Sequence, residues 1–124
     1  MDSIKINLSG ATRIVFIFKK FVIKIPNVRE YKLFLYGILS NLQEKTFSKM
    51  KREDLAHVYF CSPFGLFLIM QRAEVTSDMN ERRFIRMIYK KYKDDDLRCF
   101  MIADCKPDNW GYINGNLVKV DYGD

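Results

Sequence analysis

A series of short strand patterns in the first 25 residues constrains the fold more than any other feature of this sequence. Residues 4–8 alternate between apolar and polar side chains, and Ser9-Gly10 then interrupts the pattern. β-Branched and aromatic residues dominate 12–18 and again 21–25, where Pro26 stops the pattern. Because so few residues separate the three segments, we expect them to pair as antiparallel strands.

A helix pattern follows these strands. Asn27 is a predicted N-cap, and Glu30 stands where it would complete a capping box. Apolar residues then recur at helical spacing, which predicts a helix from about residue 28 to 45 with one face packed on the sheet. This predicted apolar face consists of Tyr31, Phe34, Leu35, Ile38 and Leu42.

Two more strands are predicted beyond this helix, over 58–61 and 66–70, joined by a Ser62-Pro63-Phe64-Gly65 turn. Five strands with one packed helix make an α+β layer. With 124 residues, the chain has room for one domain with a single core.

The second half of the chain predicts a helix and a hairpin. Asp78 and Glu81 form a second possible capping box, and an apolar stripe carries the helix to about Lys93. A polar loop over 104–109 follows a short apolar stretch. Asn114-Gly115 between apolar pairs then predicts a β-hairpin.

Charge and composition narrow the classes of function. The net charge of +6 arises entirely in residues 1–60, which hold 11 basic and 5 acidic side chains, whereas 61–124 hold 10 of each. Such a surplus attracts phosphates, nucleic acid or an acidic protein, and charge alone does not choose among them. Three cysteines without a C-x-x-C pair favour a reduced cytoplasm. The longest apolar run, 60–70, is shorter than the roughly 20 residues that span a bilayer, so we expect no membrane partner.

Two motifs near the end of the chain suggest a chemistry. The loop reads Asp104-Cys105-Lys106-Pro107-Asp108-Asn109, and Asp121-Tyr122-Gly123 follows the predicted hairpin. In this respect the chain resembles protein kinases and related small-molecule kinases, whose catalytic loop has an Asp followed five positions later by an Asn, before an Asp-Phe-Gly motif. The loop over 104–109 also has an ordinary explanation as a polar turn, because Asp, Pro and Asn all favour turns.

The resemblance implies a fold for the whole chain. Residues 1–74 would be a kinase small-lobe-like sheet with its helix, and 75–124 would be a residual segment of the large lobe, with no full large lobe. Lys24 in Phe21-Val22-Ile23-Lys24 matches the third-strand lysine of kinases, and Glu30 is then its candidate partner. Glu44 is the rival for that role, and a lysine snorkelling at the surface is the alternative for Lys24.

The resemblance also implies roles for individual residues, with ATP and magnesium as cofactors. Lys24 would hold phosphates, whereas Asn109 and Asp121 would bind the metal. Asp104 would accept the proton of an attacking hydroxyl, and Lys106 would neutralise charge on the transferred group. The hinge that holds adenine would be formed by Met70, Gln71 and Arg72.

Departures from the kinase pattern keep other functions open. The glycine-rich loop is reduced to Gly10, and Ile102-Ala103 stands where kinases usually have His-Arg. The compact chain is similar to small kinase-like proteins encoded by bacteriophages, which would place it in the cytoplasm of an infected host. The alternative is an inactive kinase-fold module whose basic surface binds an acidic host protein or, less favoured, nucleic acid. A homodimer is a third possibility.

Overall fold

A five-stranded antiparallel sheet dominates the first half of the molecule. The computed structural model describes residues 5–7, 12–75 and 79–123, so the predicted Ser9-Gly10 turn lies outside the described residues. The strands of this sheet are β1 (Lys5–Asn7), β2 (Arg13–Ile17), β3 (Phe21–Pro26), β4 (Val58–Cys61) and β5 (Leu68–Gln71). Their order is β1-β2-β3-β5-β4, which confirms the predicted α+β architecture with a five-stranded antiparallel sheet.

Helix α1 (Tyr31–Ser48) connects β3 to β4 and begins about three residues later than predicted. The reason lies in Asn27, whose backbone N–H donates to the Thr12 carbonyl at 2.8 Å and whose side-chain oxygen accepts from the Arg29 N–H at 3.0 Å. These bonds hold the segment in a turn, and Glu30 follows in an extended conformation. The predicted capping box between Asn27 and Glu30 is therefore wrong.

The predicted packing face of α1 is also wrong. The residues that α1 buries are Gly37, Ser40, Asn41 and Glu44, which are small or polar. Tyr31 is instead 71% exposed, and Leu35 is 53% exposed. Hydrophobic periodicity failed here because the sheet presents charged partners to this helix, as described below.

The second half adds a small antiparallel sheet and two helices. Its elements are β6 (Glu74–Val75), α2 (Glu81–Lys91), α3 (Arg98–Ile102), a 3-10 turn (Pro107–Asn109), β7 (Trp110–Ile113) and β8 (Asn116–Lys119). The strand order is β6-β7-β8, and the predicted hairpin around Asn114-Gly115 is confirmed. Asn80 caps α2 by accepting from the Arg83 N–H, and Asp78 lies outside the described residues.

One hydrophobic core joins the two halves. It packs β5, through Leu68 and Met70, with Phe84 of α2 and with Trp110 at the start of β7. The Trp110 ring centroid lies 6.1 Å from that of Phe84 and 5.9 Å from that of Tyr92. Each such buried side chain contributes about 1.5–3 kcal/mol, so the second half is anchored to the sheet by packing.

Within the described residues, no helix combines the length and apolarity needed to cross a membrane.

Candidate functional site

Four charged side chains meet between the five-stranded sheet, α1 and the segment after β8. Glu44 of α1 is the centre: the Lys24 ammonium lies 3.0 Å from its Oε1, and both Arg13 Nη atoms donate to its carboxylate. Arg13 Nη2 also donates to Asp121 Oδ1 at 2.8 Å. We call Arg13, Lys24, Glu44 and Asp121 the charge cluster. It contains two cations and two carboxylates.

Burial makes the charges of this cluster depend strongly on one another. The side chain of Glu44 is fully buried, and those of Arg13 and Lys24 are 7% and 6% exposed. Burial by itself raises the pKa of Glu44, but the charges of Arg13 and Lys24 outweigh it and hold the pKa at about 2. Burial lowers the pKa of Lys24, against the opposing attraction of Glu44. Because a buried charge without a partner is strongly unfavourable, the four groups depend on one another.

Asp121 is positioned by an extended connection that follows β8. Lys119 exchanges backbone hydrogen bonds with the segment before β4, donating to the Asp54 carbonyl and accepting from the Ala56 N–H. Tyr122 then fixes the next turn of chain, since its hydroxyl donates to the Ala56 carbonyl at 2.6 Å and its N–H donates to Glu44 Oε2 at 2.9 Å. Asp121 is thereby held beside the charge cluster.

Gly123 completes this segment because the backbone passes directly over α1. A Cβ atom at this position would lie 2.5 Å from the Ser40 carbonyl oxygen and 3.0 Å from the Glu44 side chain. The contact is too close for any side chain. The Asp-Tyr-Gly sequence therefore suits the space beside α1, independently of any resemblance.

The loop over 104–109 forms a second cluster around Asp104. Asn109 Nδ2 donates to the backbone oxygen of Asp104 at 2.8 Å and to its Oδ2 at 3.0 Å. The Lys106 ammonium lies 3.4 Å from Asp104 Oδ1, and half of the Asp104 side chain is exposed. Asp104 has a φ of 47°, an uncommon conformation for a residue other than glycine. Such backbone strain is typical of functional sites and is maintained here by the Asn109 bonds.

Val120 connects this loop to the charge cluster. Its N–H donates to the Asn109 carbonyl at 2.8 Å, and its carbonyl accepts from the Lys24 ammonium at 2.7 Å. A continuous series of hydrogen bonds thus runs from Asp104 through Asn109 and Val120 to Lys24. The structure therefore brings together four residues that the sequence predicted as a site: Lys24, Asp104, Asn109 and Asp121.

Two aspects of the site differ from the sequence-based prediction. Lys24 pairs with Glu44, whereas Glu30 is exposed before the first turn of α1, so the proposed Lys24–Glu30 pair is corrected to Lys24–Glu44. Arg13 was not predicted at all. The available signal was a lone charge at the start of an otherwise apolar strand pattern, Arg13-Ile14-Val15-Phe16-Ile17, which is unusual for a buried strand.

The predicted hinge residues occupy three different environments. Met70 is fully buried in the core and lies opposite Val22 in the β3–β5 register. Gln71 accepts from the His57 N–H at 3.3 Å, and Arg72 donates to the Phe18 carbonyl at 2.9 Å. Gln71 and Arg72 therefore hold neighbouring segments together.

The register also defines what surrounds Lys24 on its side of the sheet. Residues directly opposite each other in antiparallel strands point to the same face. Val15 and Leu68 both lie opposite Lys24, and Met70 lies opposite Val22, two residues along β3. One face of the sheet therefore combines an apolar strip, Val15, Val22 and Met70, with the Lys24 cation.

A magnesium ion does not fit the charge cluster as it is arranged. Asn109, in the neighbouring loop, is a suitable magnesium ligand. Its Nδ2 donates to Asp104, so its side-chain oxygen points away from Asp104. Asp121 is not, because its Oδ1 already accepts from the Arg13 guanidinium. Among the described residues, no three His, Cys, Asp or Glu side chains lie together as a metal-binding group. The cation beside Asp121 in this structure is thus the Arg13 guanidinium.

A scan of the chain against models of protein families finds no match, and a search of the curated proteins finds none.

Proposed function

We propose that this protein is a minimal kinase-like protein that binds ATP and transfers its γ-phosphoryl group to a hydroxyl. The observation that carries the proposal is the buried Lys24–Glu44 ion pair, with an N–O distance of 3.0 Å. Kinases require such a pair between a strand lysine and a helix glutamate, because it orients the lysine toward the phosphates. The sheet order and the helix between β3 and β4 support the same proposal, as does the arrangement of Asp104 and Asn109.

Binding would use both parts of the sheet face described above. Of the apolar strip, Met70 is fully buried in the core, whereas the half-buried Val15 and Val22 would contact a purine ring. The cations of the charge cluster lie at the end where β3 carries Lys24. The Lys24 ammonium would make the contact with the phosphate chain, as the paired strand lysine does in kinases.

In the transfer step, the acceptor hydroxyl oxygen forms a bond to the γ-phosphorus as the bond from that phosphorus to the β-phosphate oxygen breaks. The hydroxyl proton passes to Asp104, whose carboxylate is exposed enough to reach an acceptor and is oriented by Asn109. Lys106, beside Asp104, would stabilise the negative charge that shifts between the oxygens. ADP leaves as the second product.

Two measurements test this proposal. Saturating ATP should raise the unfolding temperature, since a ligand at about 100 times its dissociation constant stabilises by about 2.7 kcal/mol. With radiolabelled γ-phosphate, the protein should transfer label to water or to its own hydroxyls. Asp104→Asn should lower that transfer by a factor of about 100 or more while leaving ATP binding intact.

Asp108→Asn is the matched control, because Asp108 is an exposed carboxylate in the same loop. It should leave the transfer rate unchanged within about twofold. The proposal is wrong if ATP causes no stabilisation with or without magnesium. Transfer that is equally fast in the Asp104→Asn variant would refute the role of Asp104 as base.

A second candidate function, partner binding, is favoured by the outer face of α1. Its exposed apolar residues are Tyr31, Leu35 and Leu39, and the half-buried Ile38 and Leu42 lie on the same face. The β4–β5 turn lies against it, because Gly65 closely approaches Ile38 and Leu42, and this turn carries the exposed Phe64 and Leu66. Contiguous exposed apolar surface of this kind is typical of a protein-binding site.

The charges around this face indicate the kind of partner. Arg29, Lys32 and Lys49 are exposed at the ends of α1, against the single exposed carboxylate of Glu30. A second copy of the chain would bring the same positive charges, so the face is better suited to an acidic amphipathic helix. This candidate corresponds to an inactive binding module and does not require ATP.

Two synthetic peptides with the same leucine stripe, one with glutamates and one with lysines on its polar face, would test this candidate. Only the acidic peptide should shift the amide resonances of α1, and the double variant Leu35→Glu/Leu39→Glu should abolish that shift. Equal binding of both peptides would exclude charge selection. Concentration-dependent dimerisation that the double variant abolishes would indicate self-association instead.

A further inference from the structure

We propose that Arg13 takes the place of a metal cation at Asp121, so that the protein binds its nucleotide without a divalent metal. This inference rests on the proposed nucleotide-binding function. It concerns the cation that accompanies the phosphates and not whether a nucleotide binds. Its starting point is the 2.8 Å bond from Arg13 Nη2 to Asp121 Oδ1.

The position of Arg13 is fixed from several sides. Its Nη1 donates to Asn41 Oδ1 at 3.2 Å and to Glu44, and its Nη2 donates to Glu44 Oε2 at 3.1 Å. Asn41 is held in turn, because its Nδ2 donates to the carbonyls of Lys24 and Gly65. The guanidinium is therefore a preorganised cation, and an arginine stays protonated at any pH at which the protein is folded.

The charge balance of the cluster leaves little need for a metal. Arg13 and Lys24 match the charges of Glu44 and the partly exposed Asp121, so the charge cluster is neutral as a set. A divalent cation bound to Asp121 would either displace the guanidinium or lie close to it, and like charges in a poorly solvated site repel strongly. Displacement would leave Arg13 buried with an excess of positive charge.

Exposure shows where a phosphate would approach. The Asp121 side chain is 43% exposed, whereas that of Arg13 is 7% exposed. Asp121 is therefore the outer member of the pair, and solvent reaches the cluster from its side. A phosphate arriving there meets a carboxylate whose charge is already offset by Arg13. In metal-dependent kinases the ion supplies this offset.

The decisive comparison is the affinity for ATP in EDTA and in excess magnesium, measured by isothermal titration calorimetry on the full chain. We expect the two dissociation constants to agree within about threefold for the unmodified protein. Arg13→Gln should weaken binding in EDTA about tenfold or more, because the Asp121 carboxylate that faces the phosphate would lose the charge that offsets it. Magnesium should restore the binding. Arg13→Lys keeps a cation and should remain independent of magnesium.

Arg29→Gln is the matched control, because Arg29 is an exposed arginine outside the cluster, and it should behave as the unmodified protein does. Should Arg13→Gln fail to fold, the unmodified protein and Arg13→Lys still decide the question. Binding that requires magnesium in the unmodified protein would overturn this inference while leaving the proposed function intact. Absence of ATP binding under both conditions would overturn the proposed function, and this inference with it.

Discussion

The two faces of α1 are the reverse of those of an ordinary amphipathic helix. The face toward the sheet carries Ser40, Asn41 and Glu44, all buried, whereas the outer face carries Tyr31 and Leu35, both more than half exposed. Usually the apolar stripe faces the core because burial of apolar surface drives packing. This reversal shows that ionic and hydrogen-bonded partners hold the middle of α1 against the sheet, whereas Tyr31 and Leu35 stay exposed.

The two faces should therefore differ in how strongly a substitution changes the stability of the protein. A buried charge is stable only while its partners are present, so the inner face is sensitive to single substitutions. An exposed leucine contributes little to folding, so the outer face tolerates them. Substitutions on the two faces should therefore separate a structural role from a binding role.

The largest expected effect comes from Glu44→Ala. Removal of this carboxylate leaves Arg13 and Lys24 buried beside each other with one remaining carboxylate, Asp121. We expect the free energy of unfolding to fall by about 3–5 kcal/mol, measured by urea denaturation. Glu30→Ala, at the exposed residue just before α1, is the control and should change it by less than about 0.5 kcal/mol. Similar effects of the two substitutions would contradict the importance of the charge cluster.

Acid should weaken the inner face in a definite pH range. The pKa of Glu44 falls from 4.5 to about 2 on folding, so its stabilising contribution is fully present above about pH 4.5 and is lost as the pH falls toward 2. The loss is on the order of 3 kcal/mol. Urea denaturation at several pH values should show that the free energy of unfolding of the unmodified protein falls as the pH falls through this range. The slope should be flatter in Glu44→Gln. An unchanged slope in that variant would assign the acid sensitivity to other carboxylates.

Gly37→Ala probes how closely the inner face approaches the sheet. In an exposed helix interior this substitution stabilises by about 1 kcal/mol. Here the added Cβ would lie 2.4 Å from the Thr12 carbonyl oxygen and 2.7 Å from the Pro26 Cα. We therefore expect a loss of about 1–3 kcal/mol in thermal or urea unfolding. The exposed Gln43→Ala should show no loss, and a stabilised Gly37→Ala variant would mean that α1 packs less closely.

The smallest effect is expected on the outer face. Leu35→Ser combined with Leu39→Ser should lower the free energy of unfolding by less than about 1 kcal/mol, because both side chains are 53% exposed. ATP binding should be unchanged. A much larger loss of stability would show that this face packs within the protein rather than serving a partner.

Much of the fold could be predicted because its signals are local. The strand patterns, the Asn114-Gly115 turn and the polar loop at 104–109 each depend on a few neighbouring residues, and the structure contains the corresponding elements. The pattern also predicted that Lys24, Asp104, Asn109 and Asp121 belong to one site, although their kinase-like roles remain a proposal. The strand β6 and the short helix α3 were not predicted, because two and five residues are too few to give a periodic signal.

Local patterns in the sequence thus predict the five-stranded α+β architecture and the order of its candidate site residues. Those patterns do not predict that Glu44 pairs with Lys24, that α1 buries its polar face, or that Arg13 reaches Asp121, 108 positions along the chain. The physical reason is that a buried charge is stable only beside its partners. The fold alone determines which partners meet.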